Sequence, residues 1–181
     1  MQKKTLCLPN KLNFYKLYYN TKSPKFSTDG AACFDICAFL DKPNITIYEM
    51  NNKKTMRNAE RFNEEDGLQL AIYPAERVLV PTGLVFDIPE GHSVRLHTRS
   101  SLSWKKGLIM PNGEGIIDSD YYHETFVMLY NSSADEVRIT HGERIAQGEL
   151  VQNLTYEMAE TMNIPKQITD RVGGFGSTGT K

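Results

Sequence analysis

The chain lacks any apolar run approaching the ~18 residues that a membrane-spanning helix needs. Its start, MQKKTLCLPNKLN, carries two lysines but no apolar stretch leading to a small-residue cleavage site. The expectation is a soluble, cytoplasmic protein with no membrane role. Neither charge is in excess: 21 Lys+Arg against 22 Asp+Glu leave a formal net charge of −1. With no basic run, there is no field to hold nucleic acid. Cysteine is scarce. Cys7, Cys33 and Cys37 cannot all pair, and the Cys33/Cys37 spacing has no second ligand pair to complete a zinc site. Reduced thiols packed as small apolar groups are expected. Internal repeats and low-complexity tracts are absent. So are several catalytic signatures: GGFGSTG has no Lys before its Ser-Thr and opens no helix, no G-x-S-x-G or H-E-x-x-H occurs, and His92, His97, His123 and His141 show no zinc-ligand spacing.

What is present is a chain of 181 residues, 40% hydrophobic, enough for one packed domain at about 150 residues per domain. Short alternating or β-branched runs recur over residues 14–19, 32–38, 45–48, 68–73, 77–80, 84–88, 93–98, 125–131, 136–140 and 144–152. Turn signals such as Pro81-Thr82-Gly83, Pro89-Glu90-Gly91, Asn112-Gly113 and His141-Gly142 fall between them. Many short strands predict an all-β sandwich or barrel. One polar stretch, Glu49 to Gly67, interrupts this pattern as an insertion. Its Met56 to Asp66 portion has the charge pattern of a short helix. It reads either as a solvated loop or as a flap that meets a protein partner or covers a site. The last nine residues, GGFGSTGTK, are too glycine-rich to pack and should order only on binding something. The division expected is a single β domain over 1–172 and a mobile arm over 173–181.

Three segments carry candidate chemistry. Arg99-Ser100-Ser101 offers forked and hydroxyl donors suited to phosphate oxygens. Asn112 to Tyr121 opens with a tight turn and places Asp118 and Asp120 around a serine. The third is Gly142 to Gln147. Each alone is weak. Taken in order with Ala32-Cys33-Phe34-Asp35-Ile36 and the Gly173 to Gly179 tail, they resemble the five motifs of the trimeric dUTP nucleotidohydrolases (dUTPases), and Leu79 to Leu84 resembles a linking piece of that family.

The resemblance implies a jelly-roll-like β-sandwich assembled as a homotrimer, with sites built from more than one subunit. It implies hydrolysis of dUTP to dUMP and pyrophosphate, with Mg²⁺ on the triphosphate. Asp118 matches the aspartate that deprotonates the attacking water, and Asp35 the one that faces the metal through water. Arg99, Ser100, Ser101 and Gln147 match phosphate-orienting positions. Asn112, with the backbone near Ile116 and Ile117, matches the uracil-reading hairpin. Tyr121 matches the tyrosine under the deoxyribose that clashes with a 2′-hydroxyl, and Phe126 falls on a strand lining the pocket. In the tail, Phe175 would stack on uracil, while Gly176, Ser177 and Thr178 would donate to the β- and γ-phosphates. A viral source would make the location the host-cell cytoplasm.

Four departures from the family pattern stand out. Cys33 and His123 each replace a glycine, Arg171 stands one residue nearer Phe175 than the motif's arginine, and the Glu49 to Gly67 segment is extra. The departure at Arg171 bears on contact with the γ-phosphate. Rival readings are a dCTP deaminase of similar fold, a regulatory protein acting through the insertion, and a structural jelly roll. The deaminase needs a glutamate where this chain has Met128, and an apolar side chain has no proton to transfer. A structural jelly roll leaves Asp118, Tyr121 and the tail without a role.

Overall fold

The computed structural model describes residues 11–61, 67–170 and 173. Its strands are β1 (Asn13–Lys16), β2 (Lys25–Phe26), β3 (Phe34–Cys37), β4 (Ile45–Tyr48), β5 (Lys54–Arg57), β6 (Gln69–Ile72) and β7 (Arg77–Pro81). There follow β8 (Leu84–Asp87), β9 (His92–Thr98), β10 (Leu108–Ile109), β11 (Gly115–Asp118), β12 (Phe126–Asn131), β13 (Val137–Thr140) and β14 (Arg144–Gln152). Every run expected from alternation contains a strand. Among the described residues helix is confined to one turn after Arg99, with a π-helical stretch at Leu102–Lys106 that Gly107 closes in the left-handed region.

Two antiparallel five-stranded sheets, ordered β10-β12-β7-β4-β5 and β11-β9-β14-β3-β2, form the layers, and the ribbons β1-β8 and β13-β6 flank them. Period-two patterning sets the register. In β7, Val78 and Val80 are fully buried between the less buried Arg77 and Leu79, and they lie opposite Leu129 and Val127 of β12. Ile36, Val94, Leu96, Ile117 and Ile145 supply the facing layer of the core. A slip of one residue would turn these side chains out, so burial fixes the register. The result is an all-β sandwich.

The insertion differs from expectation over its first half. Glu49 to Asn52 form a turn, with the Asn52 N–H donating to the Glu49 carbonyl at 2.9 Å, and the chain returns as β5 against β4, Thr46 opposite Met56. Residues 56–61 are therefore strand and irregular chain rather than helix. The reason is tertiary. Arg57 reaches across the sandwich edge to the buried Glu76 with two guanidinium bonds of 2.7 and 2.8 Å, and also donates to the Ala71 carbonyl at 2.8 Å. These bonds outweigh the weak helical preference of a charged segment. The rest of the expected helix, residues 62–66, lies outside the described residues.

Cys33 and Cys37 are free and half-buried, and burial pushes both thiols up. Cys7 lies outside the described residues. No described helix is long and apolar enough to cross a membrane. After β14, residues 153–170 run outside the sandwich as exposed irregular chain, with Leu154, Tyr156, Met158, Met162, Ile164 and Ile168 all exposed.

Candidate active site

The turn between β10 and β11 begins the site. The Gly113 N–H donates to the Met110 carbonyl at 3.0 Å, and the Asn112 side-chain amide donates to the Glu114 carbonyl at 2.8 Å, bracing the hairpin end. Gly115 then lets β11 lie tight on β9. A Cβ there would stand 3.0 Å from Leu96 Cβ and 3.2 Å from Met110 Cε. Along β11, Ile117 turns into the core while Ile116 is exposed. β11 is also the edge of its sheet. Alternate backbone N–H and C=O groups of an edge strand have no ladder partner, so this one presents a donor and acceptor row like the edge of a base.

Asp118 closes β11, exposed and opposite Ser93 of β9. Its carbonyl accepts from the Tyr121 N–H at 3.1 Å, so the chain turns immediately, and Asp120 falls in the turn rather than on the same strand. Tyr121 is 39% exposed, and its hydroxyl donates to the Glu124 carbonyl at 3.0 Å. A cavity of about 260 Å³ opens here, lined by Asn112, Gly115, Ile116, Ile117, Asp118, Tyr121 and Phe126. Leu79, Leu96, Met110, Thr125 and Met128 complete its wall. Six of the expected residues thus meet in one mostly apolar pocket with a carboxylate at its rim, which is the usual make-up of a small-molecule site.

The expected phosphate-binding residues gather elsewhere. Asp35 on β3 is buried and lies opposite Gln147 of β14, so the two share a sheet face. Its carboxylate accepts from Arg99 Nε at 3.1 Å, Arg144 Nη1 at 2.9 Å and Ser27 Oγ at 2.5 Å. Burial alone would raise the Asp35 carboxyl, but the Ser27 and Arg144 hydrogen bonds, with the charges of Arg99 and Arg144, outweigh it and hold it below the ordinary value. Two guanidinium groups against one carboxylate leave net positive charge suited to an anion. Ser100 and Ser101, both exposed, occupy the helical turn that starts as the Leu102 and Ser103 N–H groups donate to the Arg99 carbonyl at 3.0 and 3.2 Å.

Sequence reasoning missed Arg144 and Ser27 as members of this cluster. Arg144 was legible in part, since it lies in the same segment as Gln147. Ser27 was not, because only the pairing of β2 with β3 brings it near. Arg171, Phe175, Gly176, Ser177 and Thr178 lie outside the described residues.

Within one chain the two clusters are far apart. Asp118 faces Ser93 at the start of β9, whereas Arg99 follows its last residue, Thr98. Six residues of extended chain span about 20 Å.

Comparison with known proteins places this geometry. The dUTPase family model matches residues 68–179. The deoxyuridine 5'-triphosphate nucleotidohydrolase of Brucella melitensis is 42% identical over 112 residues, covering 62% of this chain and 71% of that protein. Among solved structures, the dUTPase of Streptococcus mutans superposes with a TM-score of 0.59 at 26% identity, covering 80% of this chain and 98% of that one. The dUTPase of Staphylococcus bacteriophage 80alpha, solved with dUPNHPP, gives 0.70 at 22% identity, covering 94% of this chain and 99% of that one. The matched stretch contains the pocket hairpin, Asp118, Tyr121 and the Arg99 turn, and the sandwich is shared, so this chain belongs to the dUTPase family.

Proposed function

We propose that the protein hydrolyses dUTP to dUMP and pyrophosphate, limiting uracil incorporation into DNA and supplying dUMP for thymidylate synthesis. The observation that carries this reading is the pocket in which the free edge of β11, Tyr121, Phe126 and Asp118 converge. Uracil would lie against the backbone of Ile116 and Ile117. A narrow hairpin leaves no room for the thymine methyl, and a fixed donor and acceptor row mismatches the amino group of cytosine. Each buried group left unpaired costs about 1–3 kcal/mol.

Asp118 is the base. It accepts a proton from a water that attacks the α-phosphorus. The new P–O bond forms as the bond from that phosphorus to the bridging oxygen breaks, and pyrophosphate leaves with the electron pair. Positioned proton transfer contributes ~10²–10⁴-fold, and alignment with charge neutralisation supplies the rest. Arg99, Ser100, Ser101, Gln147 and Arg144 orient the triphosphate, and Tyr121 supports the deoxyribose. Phe175, Gly176, Ser177, Thr178 and Arg171 belong to the arm that would close over the nucleotide.

The donor set suits Mg²⁺ carried by the nucleotide. Among the described residues no three His, Cys, Asp or Glu side chains form a metal cluster, and both Asp35 oxygens are taken by Arg99, Arg144 and Ser27. Such residues fit an ion held by phosphate oxygens and water, with Asp35 facing its water shell. Bound there, Mg²⁺ would neutralise charge on the triphosphate.

The ~20 Å between Asp118 and Arg99 supports sites shared between subunits of a homotrimer, because no single chain sets both on one triphosphate. The outer face of the β10-β12-β7-β4-β5 sheet supports it too. Tyr48, Met56, Met128 and Ile109 are exposed there, and sheets with two apolar faces are covered on both. The same reading places the enzyme in the cytoplasm. Met128 in the pocket wall favours hydrolysis over deamination. The test is incubation with each deoxynucleoside triphosphate and Mg²⁺. We expect pyrophosphate and dUMP from dUTP alone, with solvent ¹⁸O in dUMP. Ammonia from dCTP, or label in the diphosphate, would overturn the reading.

A further inference from the structure

Behind the pocket lies a buried carboxylate that the reaction does not use. Glu124 has a side chain only 8% exposed. Its Oε1 accepts from the Gly83 N–H at 2.9 Å, and its Oε2 accepts from Lys42 Nζ at 2.6 Å. Gly83 cannot be replaced freely. It has φ +69°, and a Cβ there would stand 2.5 Å from Thr21 Oγ1. The glycine to which Glu124 is pinned is itself held by a backbone bond, since its carbonyl accepts from the Leu17 N–H at 2.9 Å. The adjoining backbone is pinned as well, since the Thr125 N–H donates to the Leu84 carbonyl at 2.7 Å and Thr82 Oγ1 donates to the Thr125 carbonyl at 2.6 Å.

Both aromatic walls of the pocket hang from this anchor. The Tyr121 hydroxyl donates to the Glu124 carbonyl at 3.0 Å, and its ring meets His123 edge-on with centroids 5.7 Å apart. Lys42 Nζ, while paired with Glu124, also sits 5.2 Å from the centroid of Phe126. Residues 119–125 contain no strand, so the sheet ladders do not hold Tyr121 in place. Discrimination by shape requires the ring to stay within about 0.5 Å of its position, and that demands support from surrounding groups.

We propose that the Lys42–Glu124 ion pair is a positioning device for sugar selection. It fixes the Tyr121 and Phe126 rings so that the pocket admits a 2′-deoxyribose and rejects a 2′-hydroxyl. Lys42 comes from the chain just after β3 and Glu124 from the loop before β12, so the pair ties the turn that carries Tyr121 to the body of the sandwich. This inference rests on the dUTPase reading and adds to it residues that touch neither nucleotide nor water.

The test measures kcat/KM for dUTP and for UTP, together with melting temperature, in wild type, Glu124→Gln, Lys42→Met and Lys42→Arg. Loss of a charge-assisted bond should lower the dUTP-to-UTP ratio by about tenfold or more in the Gln and Met variants, mainly through better use of UTP. Lys42→Arg keeps the charge and should hold the ratio within about threefold of wild type. Tyr121→Phe combined with Glu124→Gln should relax the ratio no further than the larger single change, as expected if the ion pair acts by holding the Glu124 main chain whose carbonyl accepts from the Tyr121 hydroxyl. A lower melting temperature with an unchanged ratio in Lys42→Met would make the pair merely structural and overturn the inference. Additive effects of Tyr121→Phe and Glu124→Gln would also overturn it. Lys42 is a third exposed, so its variant gives the answer even if Glu124→Gln fails to fold. Wild type that turns over no dUTP would instead overturn the underlying reading, and the inference with it.

Discussion

Asp118 and Asp35 are both aspartates on the β11-β9-β14-β3-β2 sheet, and their surroundings are opposite. Asp118 is exposed at a strand end, whereas Asp35 is 3% exposed and saturated with donors. Asp118→Asn keeps the shape and removes the basicity. It should reduce turnover of dUTP by at least ~10²-fold while dUTP still binds, measured by pyrophosphate release and by calorimetry with a non-hydrolysable analogue. Retained turnover would remove Asp118 as base. For Asp35 the consequence is stability. A carboxyl whose folded pKa is depressed stabilises the fold above its unfolded value, near 3.9, and that contribution fades as pH falls through the folded value. Asp35→Asn should therefore melt below wild type at neutral pH, with the gap closing below about pH 4. A gap that stays constant with pH would rule out the Arg99 and Arg144 bonds as its source.

At the scale of elements, the β4–β5 hairpin shows how an insertion becomes part of a sheet. Glu76 is buried, and besides the two Arg57 bonds its Oε2 accepts from the Tyr73 N–H at 2.8 Å. Burial would raise its carboxyl, but the Arg57 and Tyr73 hydrogen bonds outweigh this and lower it. Arg57→Ala would leave that charge buried without its partner. The expected cost is about 3 kcal/mol, at the lower end for a broken buried pair because a quarter of the Arg57 side chain is exposed. Urea denaturation checks this, and a change under ~1 kcal/mol would mean that the hairpin is not anchored through Arg57. Removing residues 51–65 would delete this anchor with the strand, so such a variant reads stability as much as function. The β11 edge is the complementary case, since an open backbone row that would invite aggregation is usable where a flat base can pair with it.

At the scale of the molecule, the separation of Asp118 from Arg99 along β9 makes the assembly testable without a structure of it. Asp118→Asn and Arg99→Ala subunits should each be inactive alone. Unfolded together and refolded, they should recover roughly a quarter of wild-type activity for random mixing, because some sites then receive Asp118 from one subunit and Arg99 from another. No recovery, or a monomer by light scattering, would show that one chain builds its own site. The exposed 153–170 segment leads out of the sandwich toward the glycine-rich end, with apolar residues at alternate positions, a pattern that a neighbouring subunit could bury.

Alternation and turn residues determined the class of fold, because a strand half-buried in a sandwich must show period two whatever surrounds it. Motif order likewise singled out Asp118, Tyr121 and the Asn112 hairpin as candidates, since that constellation lies within ten consecutive residues. Tertiary structure alone decided the remainder. Four strands fall outside the expected runs: β2 and β10 span two residues each, β5 is polar, and β11 has adjacent isoleucines rather than alternation, so each is defined by the neighbour that supplies its ladder. Local charge in the Met56 to Asp66 stretch suggested helix, yet a partner 19 residues from Arg57, Glu76, made its start a strand. Ser27 beside Asp35, and Lys42 against Glu124, are 8 and 82 residues apart in the chain. Local sequence fixes backbone preference, whereas ion pairs and cavities depend on which distant segments the sheets bring within a few ångströms.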